Sequence, residues 1–373
     1  MSGDCHGHGR GLPALWDADA IAAPDVPYRP PEPDGDHGIG LIGCGDITEH
    51  HLTAYRAAGF DVVALADLDR ATAVDRRDEF YPDADVYVDH EALLARDDVD
   101  VVDVATHPEV RPPLVEDALR ADTHVLSQKP FVLDCGVGRE LVELAHERGL
   151  RLAVNQNARW APHFGYLRGF LEAGHLGQPT SLQASVHWDH DWIADTPFDD
   201  VDHVILYDFA IHWFDLLTCV LADAEPQRVV ASTSRAPEQT ATPPLLAQAT
   251  VAYDDAQASL QFDGHARHGP EDRLAVVGTR GSVRTVGADV GETHRVLVAT
   301  DEGYAAPTLE GAWFPDGFRG TMAELLCAIE ADREPDNGAR ANLRTLELCF
   351  AAVESAETGE PVVPGTVERM PGH

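Results

Sequence analysis

The sequence predicts an α/β domain built on a doubly wound parallel sheet, followed by an α+β domain with a large, mostly antiparallel sheet. Between residues 37 and 157, short apolar segments alternate with amphipathic helical segments, as in a parallel sheet covered by helices on both faces. The first apolar segment ends in the glycine-rich turn GLIGCGDIT. From residue 158 onward, segments with strand character follow one another, which is typical of an antiparallel sheet. A chain of 373 residues is long enough for both domains.

Residues 1–36 are predicted to form a flexible, acidic and proline-rich extension. They show no hydrophobic periodicity, and the stretch PDVPYRPPEPDGD is typical of extended or disordered chain. An arm that packs on a neighbouring subunit is the alternative. Cys5, His6 and His8 lie in this extension without a second cluster of ligands, so we expect no metal site there.

The first domain, residues 37–157, is predicted to contain six strands and four helices. The strands are the short apolar segments GIGLIG, DVVALAD, DVYVD, VDVVDVAT, THVLSQKP and RLAVNQ. The helices are the amphipathic segments ITEHHLTAYRAAG, RATAVDRRDEFY, PPLVEDALRAD and GVGRELVELAHERG. Proline fits the first turn of the third helix because the first turn needs no backbone N–H donor.

The second domain, residues 158–373, is predicted to open with a helix over 160–173, a strand over 180–190 and a helix over 205–222. Strand-like segments follow, several joined by turns that contain Asp or Gly, as in antiparallel meanders. These segments are QRVVASTSR, LLAQATVAY, ASLQFDGHA, DRLAVVGT, GSVRTVG and HRVLVAT. Two helices, near 318–332 and 339–357, close the chain.

The charge balance is strongly acidic. Asp and Glu number 64 against 27 Lys and Arg, giving a net charge of −37, and Lys129 is the one lysine. This balance argues against binding to nucleic acid or to anionic lipid. Acidic residues that are scattered along the chain, together with almost no lysine, predict a surface adapted to high salt, as in halophiles. Arginine-favouring codon usage is the alternative, but it explains the missing lysine and not the excess acid.

The cysteines and the N-terminus predict a cytoplasmic protein. No pair among the six cysteines has the spacing of a metal site, a redox motif or a disulfide framework. No apolar run approaches the length of a membrane span, and the N-terminus lacks the apolar segment of a secretory signal.

The glycine-rich turn predicts a site for a dinucleotide. Gly43 allows the tight turn, and Gly45 lets the backbone approach a pyrophosphate at the helix N-terminus, where Asp46 and Ile47 begin the next helix. Asp67 ends the second strand, where a carboxylate accepts from the ribose hydroxyls and repels a 2′-phosphate. The cofactor is therefore predicted to be NAD. Two residues qualify this prediction: Arg70 keeps NADP possible, and Thr48 stands where the fingerprint has a third Gly or Ala.

A second informative stretch is LYDFAIHWFDLLTCVL. Asp208, His212, Asp215 and Cys219 are spaced i, i+4, i+7 and i+11, which places them on one stripe of an otherwise apolar helix. Such a stripe either lines a pocket or faces solvent, and the spacing alone does not choose. In the solvent-facing case, Asp208 favours the helix dipole and His212 pairs with it.

Other polar residues are predicted near strand ends. Asn155, Asn157 and Arg159 follow the sixth strand, at the edge where ligands bind in such sheets, although turn chemistry explains them equally well. In VHWDHDW, His187 and Asp189 share one face of a strand with Asp191, and the remaining residues share the other. We place His187 and Asp189 on the face that meets substrate and expect no metal there.

Three motifs together resemble the glucose-fructose oxidoreductase / inositol 2-dehydrogenase / MocA (Gfo/Idh/MocA) family. They are the glycine turn, the strand that ends in Lys129-Pro130, and the D-x-x-x-H-x-x-D pattern that begins at Asp208. The closing stretch SAETGEPVVP is also similar, so the resemblance runs from residue 37 almost to the C-terminus. The chain departs from the family at Gln128, where the family has glutamate, and at Ala210, where the helix motif has glycine.

The resemblance implies a Rossmann domain followed by a sheet that lines the substrate cleft and often builds a homodimer or homotetramer. It implies that Lys129 lies by the nicotinamide and bonds the reacting oxygen, that His212 is the general acid/base, and that Asp208 orients His212 or holds a substrate hydroxyl. Gln128 would also adjoin the cofactor.

The family has a further cofactor loop after the fourth strand. Thr106 and His107 stand there in this chain, and Arg111 replaces a histidine that the family often has a few residues further on.

The chemistry of alcohol oxidation agrees with these roles. Imidazole suits transfer of the hydroxyl proton near neutral pH, and an ammonium group stabilises a developing alkoxide. The roles of Lys129 and His212 can also be exchanged.

The leading hypothesis is an NAD(P)-dependent oxidoreductase acting on a sugar, cyclic polyol or sugar acid. The alternatives are an enzyme that retains NAD while it eliminates or hydrolyses a glycoside, and a dinucleotide-binding sensor.

Overall fold

The first of two sheets is fully parallel. The structure is a computed structural model that describes residues 21–372. The sheet has the order β3-β2-β1-β4-β5-β6. Its strands are β1 (Gly38–Ile42), β2 (Asp61–Ala66), β3 (Asp85–Tyr87), β4 (Val101–Val104), β5 (His124–Ser127) and β6 (Leu152–Val154). The order reverses between β1 and β4, and ligands bind in such sheets at the carboxyl ends of the strands beside this reversal.

Helices cover both faces of this sheet, as the nearly continuous burial of β1, β4, β5 and β6 requires. They are α1 (Thr48–Ala58), α2 (Arg70–Phe80), α3 (His90–Leu94), α4 (Arg111–Arg120) and α5 (Cys135–Glu147). Ile39 and Leu41 pack in one buried cluster with residues of α1, whereas Ile42 and Val104 pack in another with residues of α4 and α5.

The second sheet has eight strands in the order β14-β13-β12-β11-β7-β10-β9-β8. They are β7 (Pro179–His187), β8 (Pro226–Ser234), β9 (Leu246–Tyr253), β10 (Gln257–Asp263), β11 (Glu271–Gly278), β12 (Gly281–Gly287), β13 (Arg295–Thr300) and β14 (Gly303–Ala305). All neighbours are antiparallel except β7 and β10, because β7 enters between β10 and β11. The predicted fold class, including the mostly antiparallel second sheet, is confirmed. The homodimer or homotetramer stays a prediction.

The helices of the second half are α6 (Pro162–Glu172), α7 (Ile211–Val220), α8 (Trp313–Glu330) and α9 (Ala339–Thr358). Two differ from the prediction. The single helix expected over 205–222 is a π-helical turn, Ile205–Phe209, followed by α7. Helix α8 begins earlier than expected and kinks at Phe314, because a residue before proline disfavours helical backbone angles.

Residues 21–36 run along the surface of the second half without forming a helix or a strand. Val26 is buried, and the hydroxyl of Tyr166 donates to the carbonyl oxygen of Pro24 at 2.8 Å. A Cβ on Gly165 would lie 2.4 Å from the carbonyl oxygen of Tyr28, so this glycine makes room for the segment against α6. The predicted flexibility of residues 1–20, and Cys5, His6 and His8 with it, lies outside the described residues.

No helix within residues 21–372 is both long enough and apolar enough to cross a membrane. The cytoplasmic location stays a prediction.

Candidate active site

The glycine-rich turn lies between β1 and α1. Gly43 has a φ of 90°, a left-handed conformation that favours glycine, and a Cβ there would lie 2.9 Å from Cγ2 of Thr106. A Cβ on Gly45 would meet no atom within 4 Å, so open space lies above the turn. The Thr48 hydroxyl donates to the carbonyl oxygen of Gly45 at 2.6 Å, which shows how threonine fits the third fingerprint position. No side chain caps α1 at Ile47, which leaves its N-terminus to a pyrophosphate.

Asp67 lies at the carboxyl end of β2, beside this turn. Its carboxylate accepts from the backbone N–H of Cys44 at 2.8 Å and from that of Asp69 at 2.8 Å. The carboxylate is therefore fixed against the glycine turn. The neighbouring Leu68 is 95% exposed, which presents an apolar surface next to the acceptor. Arg70 donates to the backbone oxygen of Val86.

Replacing Asp67 with alanine should weaken NAD binding. Loss of hydrogen bonds to a charged acceptor costs about 1.5–3 kcal/mol, which corresponds to roughly a ten- to hundredfold higher Kd. Calorimetric titration with NAD checks this. Asp61→Ala, at the amino end of the same strand, serves as the control and should leave the Kd unchanged. Equal affinity of the Asp67→Ala variant and the wild type would contradict the ribose-binding role.

A buried arginine ties the loop after β4 to the loop after β5. Arg111 is 1% exposed and donates to the carbonyl oxygens of Thr106, Gln128 and Pro130. Burial lowers the pKa of Arg111 to about 10. These bonds fix Thr106 beside Gly43 and fix the backbone on both sides of Lys129. The side chain of His107, in the same loop as Thr106, is exposed.

Lys129 and Asp208 meet at this edge of the sheet. The Lys129 ammonium nitrogen lies 3.0 Å from Oδ1 of Asp208 and 2.9 Å from the backbone oxygen of the same residue. Both side chains keep partial contact with solvent, with 16% of Lys129 and 27% of Asp208 exposed. The π-helical turn that holds Asp208 brings its carbonyl as well as its carboxylate to the amine.

His212 lies one turn further along, in the first turn of α7. The ring is 8% exposed and lies edge-on to Trp313, with centroids 5.3 Å apart. Burial, and then the charge of Lys129, hold the pKa of His212 well below the ordinary histidine value. Its Nδ1 is buried and has no hydrogen-bond partner within residues 21–372. The imidazole is therefore neutral near pH 7 and beside the lysine.

Gln128, the residue before the lysine, joins a buried polar chain. Its Oε1 accepts from the backbone N–H of Lys129 at 2.6 Å, and its Nε2 lies 2.9 Å from Nε2 of His51. Nδ1 of His51 lies 2.6 Å from the carboxylate of Asp103, which also accepts from the hydroxyl of Tyr55. If His51 donates to Asp103 through Nδ1, its Nε2 accepts from the amide. An ionised glutamate at this position would offer that nitrogen no donor, whereas the Gln128 amide can donate to it.

The structure adds His190, which the sequence analysis did not choose. Its ring packs on Phe209 with centroids 4.3 Å apart, and Trp188 lies on the same side. Burial lowers the pKa of His190 to about 4, and the charges of Asp208 and Lys129 also act on it. The alternation in VHWDHDW identified Trp188 and His190 as one face, but the choice between the faces required the position of the π-helical turn.

The residues chosen from the other face have hydrogen-bond partners close to them in the sequence. His187 bonds the hydroxyl of Ser185 at 2.9 Å, and exposed Asp189 accepts from the backbone N–H of Asp191 at 3.1 Å. Asn157 is buried, and its Oδ1 accepts from the indole N–H of Trp313 at 2.8 Å, so it supports the wall beside His212.

Arg159 forms a buried ion pair with the third residue of the predicted helical stripe. Its guanidinium donates to both carboxylate oxygens of Asp215, at 2.6 and 2.7 Å, and to the backbone oxygen of Asp336. The side chains of Arg159 and Asp215 are 7% and 1% exposed. The stripe is thus divided: Asp208 and His212 face the cleft, and Asp215 faces Arg159 in the interior. Asn155 is likewise buried, bonded to His51 and Thr321.

Replacing Arg159 with methionine should destabilise the protein. The change leaves the Asp215 carboxylate buried without its partner, which costs about 3–5 kcal/mol of the free energy of unfolding. Urea denaturation followed by circular dichroism measures this cost. Arg120→Met removes the exposed i,i+4 ion pair with Glu116 and should cost less than about 1 kcal/mol. A variant of Arg159 with unchanged stability and a raised KM would instead indicate substrate contact.

Comparisons with known proteins agree with this architecture. The family model "Oxidoreductase family, NAD-binding Rossmann fold" (GFO_IDH_MocA) matches residues 37–156. The model of the GFO/IDH/MocA C-terminal domain matches residues 164–284, so that the two models together span more than half of the chain.

Similar proteins match over most of their length. D-apiose dehydrogenase of Paraburkholderia graminis is 29% identical over 340 residues, which cover 86% of this chain and 88% of that protein. Inositol 2-dehydrogenase of Rhizobium meliloti is 25% identical over 340 residues, with 85% and 96% covered. An oxidoreductase from Agrobacterium radiobacter, solved with NAD+, L-tartaric acid and magnesium, has a TM-score of 0.78 at 23% identity, with 89% of this chain and 99% of that chain covered.

Proposed function

This chain belongs to the Gfo/Idh/MocA family of NAD-binding oxidoreductases, and from that premise we propose that it transfers hydride between NAD and a secondary hydroxyl of a sugar, cyclic polyol or sugar acid. The observation that carries the proposal is the meeting of Lys129, Asp208 and His212 at the carboxyl edge of the parallel sheet. The glycine turn opens at the same edge, with space above Gly45 for a dinucleotide. When bound, NAD supplies the hydride acceptor.

The charges of the site favour one assignment of roles. Lys129 is paired with the Asp208 carboxylate at 3.0 Å, which suits a fixed ammonium that stabilises negative charge on the substrate oxygen. His212 is neutral near pH 7, which suits a base that accepts the hydroxyl proton. Asp208 bonds Lys129 and so positions the ammonium group. These contacts favour His212 as the base and Lys129 as the electrostatic stabiliser.

The surroundings of the site suit a polyhydroxylated substrate. The aromatic rings of Phe209 and Trp188, which are only partly buried, offer apolar surface beside His190. Histidine and carboxylate groups supply hydrogen-bond partners for several ring hydroxyls, and apolar faces pack on the C–H groups of a sugar. D-apiose and inositol dehydrogenases among the relatives favour the same substrate class.

The test is a screen for NADH formation. Wild-type protein is mixed in molar KCl with NAD or NADP and a panel of aldoses, inositols and sugar acids that includes D-apiose and myo-inositol. We expect NAD reduction, followed by absorbance, with a subset of the panel, and reduction at least about a hundredfold slower with a His212→Gln variant. Turnover of a glycoside without NADH formation would instead favour the enzyme that retains its cofactor. Cofactor binding without turnover of any compound would favour the sensor.

The surface charge supports adaptation to high salt. A net charge of −37 destabilises the folded state through self-repulsion, and at 1 M salt the screening length is only about 3 Å. We expect the midpoint of thermal unfolding to rise between dilute buffer and molar KCl. Sucrose of matched osmolality is the control and should raise it less. Equal midpoints in dilute buffer and in KCl would contradict the adaptation.

A further inference from the structure

Three side chains that are remote in the sequence meet behind Trp313, and we propose that they bind one divalent transition-metal ion of the zinc type. His163 lies in the first turn of α6, Asp272 lies in β11, and His294 immediately precedes β13. Their ligand atoms all lie within 4.8 Å of one another. Two imidazoles and one carboxylate form a set of donors that zinc prefers in proteins.

The three side chains are buried and lack other partners at the atoms concerned. Asp272, His163 and His294 are 0%, 1% and 3% exposed. Both carboxylate oxygens of Asp272, Nε2 of His163 and Nδ1 of His294 have no hydrogen-bond partner among the described residues. Buried polar groups without partners are costly, and each such group in a native protein needs an explanation. One metal ion would bind both ring nitrogens and either one or both carboxylate oxygens of Asp272.

The setting of His294 is that of a metal ligand. Its Nε2 lies 3.2 Å from the backbone oxygen of Asp289, which holds the ring proton on Nε2 and leaves the Nδ1 lone pair for a metal. A Cβ on Gly287 would lie 2.1–2.4 Å from three atoms of the His294 ring. Because Gly287 has no side chain, the His294 ring can pack directly on the end of β12. The rings of His163 and His294 are stacked, with centroids 3.9 Å and planes 14° apart, so binding of one ion requires one ring to turn until both lone pairs point at it.

The alternative is a cluster without metal, in which the three side chains bond one another through hydrogen bonds. Burial raises the pKa of Asp272 to about 7 and lowers the pKa of His163 well below its ordinary value. Burial therefore disfavours an ion pair between them. A neutral carboxyl group has one proton to donate and can satisfy only one of the two imidazoles. A metal ion serves both at once.

A metal ion here would be structural and separate from the chemistry of the cleft. It would join α6, β11 and the segment before β13. The ring centroids of His163 and Trp313 are 6.4 Å apart, and Trp313 in turn borders His212. The site would therefore stabilise the wall behind the base without touching the substrate. It goes beyond the proposed function and does not depend on it.

The first experiment measures metal in untagged wild-type protein that has been gel-filtered after exposure to a mixture of zinc, cobalt and manganese salts. We expect about one zinc or cobalt ion per chain, with the visible absorption of cobalt bound by nitrogen and oxygen ligands in a tetrahedral site. Chelation should remove the ion and lower the midpoint of thermal unfolding, and zinc should restore it. No retained metal, together with equal midpoints in zinc and in chelator, would overturn the proposal.

Variants locate the ion. Asp272→Asn and His294→Gln should each lose the stoichiometric metal and the response of the midpoint to zinc. His268→Gln is the matched control, because His268 is exposed and lies in the loop just before β11. Its metal content should equal that of the wild type. Retention of the ion by Asp272→Asn and His294→Gln, or its loss in His268→Gln, would place any bound metal elsewhere and refute this site.

Discussion

Lys129→Met is expected to lower kcat/KM for alcohol oxidation by about 10²–10³, the usual cost of removing one group that stabilises a developing oxyanion. The loss follows from the position of the ammonium group, which Asp208 holds at the carboxyl edge of the sheet beside His212. Methionine keeps the length and the apolar part of the side chain but not the charge. Steady-state kinetics with the substrate found in the screen measures the change.

Two controls separate this role from a structural one. The Kd for NAD and the midpoint of thermal unfolding should stay close to those of the wild type, because Lys129 is partly exposed and is not part of the core. Lys129→Arg keeps the charge but replaces a compact ammonium group with a planar fork, so it should recover little of the activity. Wild-type turnover in either variant would remove lysine from the mechanism.

His212→Gln is expected to lower kcat by about 10²–10⁴, the usual contribution of a general base. Glutamine keeps a polar group in the buried first turn of α7 but cannot take up the proton. The exposed His146→Gln is the matched control and should be fully active. Activity of His212→Gln within a few-fold of the wild type would transfer the role of base to another group, with Lys129 the next candidate.

The pH profile of the wild type provides a second test of His212. A base works in its unprotonated form, and burial together with the charge of Lys129 lowers the pKa of His212. The kcat/KM for oxidation should therefore stay level as pH falls through 6.5 and should decline only at lower pH. In Lys129→Met the residual activity should begin to fall at a higher pH, because one cause of the lowered pKa is gone. A decline at the ordinary histidine value in the wild type would contradict the assignment.

The elements were predictable because their signals are local. Short apolar segments and the periodic pattern of amphipathic helices depend only on the strand or helix itself, so the six parallel strands and the order of the two domains followed from the sequence. The glycine turn was equally local, since its geometry is set by adjacent residues. The π-helical turn over Ile205–Phe209 was not predicted, because its spacing resembles that of an ordinary helix.

The residue types in the cleft were partly predictable. Spacing placed Asp208 and His212 on one stripe of a helix, but only the resemblance gave them and Lys129 a role in the site. Other polar candidates have partners in the interior: Arg159 pairs with Asp215, and Asn157 bonds Trp313. A polar residue at a strand end can turn toward the cleft or toward the core. The choice depends on partners that lie far away in the sequence.

The sequence by itself determined the fold class, the glycine-rich turn and the acidic surface, since each is expressed in adjacent residues or in the sum of charges. Only the tertiary structure decided that Arg111 ties two loops together and that His190 packs on Phe209, the residue after Asp208. Only the tertiary structure brought together His163, Asp272 and His294, from α6, β11 and the segment before β13. A set of ligands assembled across a sheet leaves no spacing pattern along the chain, because its geometry is fixed by strand pairing and packing.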